Sequence, residues 1–154
     1  MPQIPLTGVR ACVFEGYGYG TLFDYASAAA HRRDALGAQF DSLVTLWRDK
    51  QLQYTWLRAT QNRHADFWQV TGNALDYTLE ALGIDDRALR EKLMNLYLTL
   101  DAFPEVPNTL SRLKAMGLKI AILSNGTPAM LEAVVGNARS STVVQPVFSV
   151  AEVA

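Results

Sequence analysis

Apolar positions along this chain form short continuous runs near the two ends and helical spacing between them. Residues 9–14, Val-Arg-Ala-Cys-Val-Phe, are apolar and β-branched enough to predict a buried strand of a parallel sheet. Cys12 within that strand reads as a small core residue. Leu118-Lys119-Ile120-Ala121-Ile122-Leu123 predicts a second strand, and a third is expected to begin at Val147-Phe148-Ser149-Val150. Between the first two, the spacing is helical. Asp24 or Ser27 can cap a helix running to about Leu36, with Gly37 placed to end it. Asp41 is expected to open a longer helix over 42–58, with Leu43, Leu46, Trp47, Tyr54 and Leu57 on one face. Ala65, Phe67, Trp68 and Val70 then form a short apolar segment, and Thr71 is placed to cap a further helix through Leu75, Leu79 and Leu82 to Gly83. Asp85 or Asp86 begins another, carrying Leu89, Leu93, Leu96, Tyr97 and Leu100. Pro107 fits the first position of a helix over 108–116 that closes at Gly117. Thr127 and Pro128 start one over 129–135.

Two strand, polar turn, helix units separated by about a hundred residues of helix predict an α/β fold: a Rossmann-like, doubly wound parallel sheet with a helical cap subdomain inserted after the first strand. The core is expected to span 1–23 and 101–154, and the cap 24–100, covering the strand ends as a lid. Sheets of this class usually carry about five strands. Three can be placed, so the sheet reads as incomplete: a fragment, or one whose missing surface a partner supplies.

Composition changes this picture little. The 154 residues are 49% hydrophobic and 19% charged, as in an ordinary globular domain. Fourteen basic against fifteen acidic residues, a net charge of -1, argue against nucleic acid or an anionic membrane as partner. The single cysteine cannot form an internal disulfide, and neither a signal peptide nor a membrane-spanning run is visible, so a cytoplasmic location is expected. His31 and His64 have no acidic or cysteine partner at metal-ligand spacing and read as ordinary helix residues.

The chemistry concentrates on the turn after the first strand. Glu15 stands where that strand ends, followed by glycines at 16, 18 and 20, and ligands in open α/β sheets bind at the carboxyl ends of strands. Around it lie four motifs: Tyr19-Gly20-Thr21-Leu22-Phe23-Asp24; Leu46-Trp47-Arg48 with Lys50-Gln51-Leu52 and Tyr54-Thr55-Trp56-Leu57-Arg58; Ala65-Asp66-Phe67-Trp68; and Ile122-Leu123-Ser124-Asn125-Gly126. Together these resemble the haloacid dehalogenase superfamily, and within it the (S)-2-haloacid dehalogenases, from about Val9 to Val153.

The resemblance implies a hydrolase that displaces halide from a small 2-haloalkanoate. A carboxylate at the first strand end attacks C2 from the side opposite the halogen, and water cleaves the resulting ester. It implies no metal and no cofactor: magnesium-dependent phosphatase relatives use an Asp pair two residues apart, whereas Glu15 is followed two later by Tyr17. It assigns Arg48 to the departing halide, Ser124 and the turn N–H groups to the substrate carboxylate, Thr21 to orienting the nucleophile, and Asn125 to polar contacts. Tyr19, Leu52, Phe67 and Trp47 are the implied apolar wall. A homodimer is a further possibility.

The family spacing, an aspartate, one arbitrary residue, then Tyr-Gly-Thr, can be laid on the turn in two ways. Counting back from Tyr19 puts Tyr17 at the nucleophile position, and a phenol with a pKa of about 10 is a poor nucleophile. Counting forward from the strand puts Glu15 there, with a duplicated Gly-Tyr dipeptide and an Asp-to-Glu exchange. Asp49 stands after Arg48 where relatives carry a neutral amide. The family's essential lysine and later water-handling residues have no counterpart before Ala154, so the resemblance implies a truncated form with weak or absent turnover. A phosphatase of the same superfamily, and a catalytically inactive binding or oligomerising domain, are the alternative readings.

Overall fold

A computed structural model describes residues 7–17, 22–24, 33–137 and 144–152. Three strands, β1 (Ala11–Phe14), β2 (Lys119–Ser124) and β3 (Val147–Ser149), pair in parallel in the order β1-β2-β3. Ala11 lies opposite Lys119 and Phe14 opposite Ile122, while Ile122 and Ser124 lie opposite Val147 and Ser149. Parallel neighbours need long crossovers. The first of these contains α1 (Arg33–Leu36), a 3-10 turn (Gly37–Gln39), α2 (Phe40–Thr60), α3 (Phe67–Ala81), α4 (Arg87–Leu96) and α5 (Val106–Ala115); the second contains α6 (Pro128–Asn137).

Helices cover one face of the sheet. α5 packs on β2 and α6 on β3, burying Ile120, Ile122 and Ser124 on that face. On the other face Ala121 is buried, but Val13, Leu123 and Phe148 are 62%, 48% and 51% exposed. The expectation that residues 9–14 form a buried strand is therefore corrected. The strand starts at Ala11, and it is an edge covered on one side only, because no described helix lies against Val13.

The chain leaves the sheet region and returns to it along a short antiparallel contact. Phe23 bridges Ala102, the Asp24 N–H donates to the Asp101 carbonyl at 2.9 Å, and the Phe103 N–H donates to the Leu22 carbonyl at 3.1 Å. The helices between these crossings share one hydrophobic cluster with the sheet, with Leu43, Trp47, Phe67 and Leu93 on one side and Ile122, Met130 and Leu131 on the other.

Several element boundaries differ from expectation for local reasons. Residues 25–32, where the first helix was placed, lie outside the described residues. Gly37 has φ of 52°, as a helix-terminating glycine should, but the chain continues at once through the 3-10 turn into α2. Asp41 consequently lies within the first turn of α2 rather than capping it, and Gln39 at the N-cap makes no side-chain capping bond. Residues 67–81 form one helix, not a short segment followed by another. Asp66 caps it by accepting the Gln69 N–H at 2.8 Å, and Thr71 is fully buried inside it. Asp86 caps α4 through the Leu89 N–H at 2.9 Å, as expected. Trp56 is 59% exposed and takes no part in the core. No helix among the described residues is long and apolar enough to cross a membrane.

Candidate active site

β1 ends at Phe14, and the next residue, Glu15, lies at its carboxyl end beside the end of β2. There the Ser124 hydroxyl donates to Glu15 Oε1 at 2.8 Å, and the Tyr17 N–H donates to the same oxygen at 3.0 Å. Ser124 Oγ also accepts the N–H groups of Tyr17 at 3.2 Å and Gly126 at 3.3 Å. Its one hydrogen is thus directed at the carboxylate while two main-chain donors fix the oxygen. The parallel register makes this possible, since a residue one step past Phe14 comes level with the last residues of β2.

Two glycines let the turns approach so closely. A Cβ on Gly16 would stand 3.2 Å from Ser124 Oγ, and a Cβ on Gly126 would stand 2.6 Å from the Tyr17 ring. The second contact leaves no room for any other residue unless the buried ring moves. Behind this turn Ser149, at the end of β3, donates to the Gly126 carbonyl at 2.6 Å and accepts the Ala151 N–H at 3.2 Å. The polar ends of all three strands are therefore stitched together.

Tyr17 turns away from the carboxylate. Its ring is 2% exposed and lies against Phe23, Phe67 and Tyr97 at centroid distances of 6.2, 5.7 and 6.2 Å. Its hydroxyl donates towards the carbonyls of Met130 at 3.0 Å and Tyr97 at 3.2 Å. Burial pushes the phenol well above its ordinary pKa, and the neighbouring Tyr97 raises it further. The Glu15 carboxylate thus stands at the strand end in polar contacts, while the Tyr17 side chain is packed among apolar rings.

On the helical side, Arg48 is half-buried on α2 and donates to Gln51 Oε1 at 2.7 Å. Gln51 is fully buried, and its amide nitrogen donates to Thr71 Oγ1 at 2.7 Å and towards the Tyr97 hydroxyl at 3.3 Å. Trp47, also buried, donates its indole N–H to the Thr71 carbonyl at 3.0 Å. Phe67 is buried against Tyr17, Leu52 is half-buried, and Asn125 is exposed beside Ser124. Of the residues singled out in the sequence, Glu15, Ser124 and Asn125 meet at the strand ends. Phe67 reaches the same region through Tyr17, and Arg48 is linked to Tyr97 through Gln51. Tyr19 and Thr21 lie outside the described residues.

Sequence reasoning missed Gln51, Tyr97 and Ser149 as polar members of this region. For Gln51 the signal was present: it follows Leu43 and Trp47 by eight and four residues, so it occupies a core position of the apolar stripe. A glutamine there must have buried partners.

Residues 19–151 match the haloacid dehalogenase-like hydrolase family. The chain is 44% identical over 126 residues to the (S)-2-haloacid dehalogenase 4A of Burkholderia cepacia, covering 81% of this chain and 54% of that protein. It is 42% identical over 143 residues to the (S)-2-haloacid dehalogenase of Xanthobacter autotrophicus, covering 92% and 55%. The solved structure of the Xanthobacter autotrophicus L-2-haloacid dehalogenase with chloropropionic acid covalently bound superimposes with a TM-score of 0.83 at 41% identity, covering 94% of this chain and 58% of that one. A crystal structure of a dehalogenase gives 0.91 at 39% identity, covering 97% and 66%. The chain thus spans about half the length of these curated relatives. With its parallel strands, helical insertion and strand-end carboxylate, this chain belongs to the haloacid dehalogenase-like hydrolases and is similar to their (S)-2-haloacid dehalogenase members.

Proposed function

We propose that the Glu15 site supports hydrolytic dehalogenation of short-chain (S)-2-haloalkanoic acids to (R)-2-hydroxyalkanoic acids. The observation that carries this reading is the Glu15 carboxylate at the end of β1, oriented by the Ser124 hydroxyl at 2.8 Å. In the first step a Glu15 oxygen forms a bond to C2 as the carbon-halogen bond breaks, giving an ester and free halide with inversion. In the second step water adds to the carboxyl carbon of Glu15, the ester C–O bond breaks, and the 2-hydroxy acid leaves with the oxygen that attacked. The two steps replace one difficult displacement by water.

The remaining residues take roles consistent with their placement. Ser124 holds the attacking carboxylate, and Asn125 with the N–H groups of its turn meets the substrate carboxylate at the start of α6. Arg48, held by Gln51, receives the halide with its delocalised guanidinium. Phe67 and Leu52 form the apolar wall. By resemblance, Thr21 orients Glu15, and Tyr19 adds to the wall. The antiparallel contact at Phe23 and Ala102 supports a division into a core of 1–23 and 101–154 and a cap of 24–100. A cytoplasmic setting, without cofactor, completes the reading.

Chloride release from (S)-2-chloropropanoate tests it. The expected result is slow turnover that falls to background in Glu15→Gln. A mass adduct on Glu15 should be trapped in a rapidly quenched reaction. Unchanged turnover in Glu15→Gln would exclude Glu15 as the nucleophile.

A further inference from the structure

Where α2 ends and α3 begins, a cavity of about 410 Å³ opens towards the strand ends. Arg58, Arg63 and His64 line it, Phe67 and Val70 give it apolar surface, and Asn125, the neighbour of Ser124, also lines it. Arg58 and Arg63 have no ion-pair partner within 4 Å among the described residues. Among the described residues Asp66 is the one carboxylate on the cavity, and its Oδ1 accepts the Gln69 N–H as the cap of α3. The two arginines border a second cavity with Asp76, but Asp76 pairs with Arg90. Among the described residues the corner therefore holds two guanidinium groups against one carboxylate, beside the apolar side chains of Phe67 and Val70.

We propose that Arg58 and Arg63 form an anion-recruiting corner that draws a short-chain monocarboxylate into this cavity, its alkyl group against Phe67 and Val70. A guanidinium binds a carboxylate with two parallel N–H donors, which gives direction as well as attraction. The cavity is of the size that holds small ligands. A positive rim on a cleft also raises the rate at which anions enter it. The destination of the bound acid, the turn at Asn125, rests on the dehalogenase reading. The recruitment does not require turnover.

Calorimetric or NMR titration with propanoate, which carries no halogen, tests the corner directly. The 154-residue chain should bind propanoate in the millimolar range or tighter, more weakly as salt is raised, and should discriminate against neutral propanamide. Replacing Arg58→Gln and Arg63→Gln together should weaken propanoate binding by roughly tenfold for each arginine and remove the salt dependence, with propanamide binding unchanged. Arg112→Gln, on α5 and away from the cavity, should leave propanoate binding as it was. Arg58 also stands in the last turn of α2, where a cation interacts favourably with the helix dipole, so urea unfolding of each variant separates a folding defect from a binding one. A double variant that stays folded and binds propanoate as before, or a parent chain that does not bind it, overturns the proposal. Salt-sensitive, arginine-dependent propanoate binding without any halide release supports the corner while overturning the dehalogenation reading.

Discussion

Tyr17 stands two residues after Glu15, with its hydroxyl shared between two main-chain carbonyls, one at the end of α4 and one on α6. Burial, and after it the neighbouring Tyr97, disfavours an ionised phenolate there, so the folded protein holds the proton more tightly than the unfolded chain does. The sign of the consequence follows. Below the unfolded value, about 10, Tyr17 is neutral in both states and its ionisation does not affect stability. Above it, the unfolded chain releases a proton that the folded chain retains, so stability falls with rising pH by up to about 1.4 kcal/mol per unit. Urea unfolding between neutral pH and pH 11 should therefore show a steeper alkaline loss in the parent than in Tyr17→Phe. The variant should be less stable at neutral pH by about 1 kcal/mol, the worth of the lost hydrogen bond. Equal alkaline slopes in the two proteins would count against a buried, neutral phenol.

At the scale of elements, α2 and α3 are joined by a polar network inside an apolar interface. Gln51 binds Arg48 with its oxygen and Thr71 with its nitrogen, and Trp47 reaches the Thr71 carbonyl. Thr71 itself donates to the Phe67 carbonyl at 2.6 Å. Replacing Gln51 by Leu keeps most of the volume but removes an acceptor from the Arg48 guanidinium and a donor from Thr71. A loss of about 1–3 kcal/mol in urea unfolding is expected. Under the dehalogenase reading, turnover should also fall while the affinity for propanoate is retained, because Arg48 rather than the recruiting corner is disturbed. The helix starts are simpler. Asp66→Ala removes the cap of α3 and should cost about 1 kcal/mol.

At the scale of the whole molecule, the described residues form a parallel sheet packed under α5 and α6 on one face, with Val13, Leu123 and Phe148 exposed on the other. Ile122 and Leu123 are adjacent in β2 and chemically alike, yet one is fully buried and the other 48% exposed. Ile122→Ala should destabilise by about 2–5 kcal/mol, whereas Leu123→Ala should change stability by no more than about 1 kcal/mol. Similar losses in both would mean that the second face is covered as well. The continuous apolar pattern of β2 is that of a strand buried on both faces, so sequence pattern and packing disagree for Leu123. The same holds for Val13 and Phe148.

The sequence alone determined the element types and their order, because hydrophobic period, caps and glycine stops act over a few residues. Pro128 at the first position of α6 and Asp86 at the cap of α4 are examples. It also carried the family, through Tyr19 to Asp24 and the Leu-Trp-Arg segment, and it marked Glu15, Ser124 and Asn125 as neighbours of strand ends. Tertiary structure decided what depends on contacts between distant segments. Ser124 and Glu15 are 109 residues apart, and only the parallel register of β1 and β2 brings the hydroxyl to the carboxylate. Counting in two directions left Glu15 and Tyr17 open, and the fold gives them different surroundings: the Tyr17 ring packs among Phe23, Phe67 and Tyr97, while the Glu15 carboxylate stays with polar donors. Burial of a strand depends on what lies over it, which no local pattern reports, and for that reason Ile120 and Ile122 on one face of β2 are core while Leu123 on the other is half exposed among the described residues.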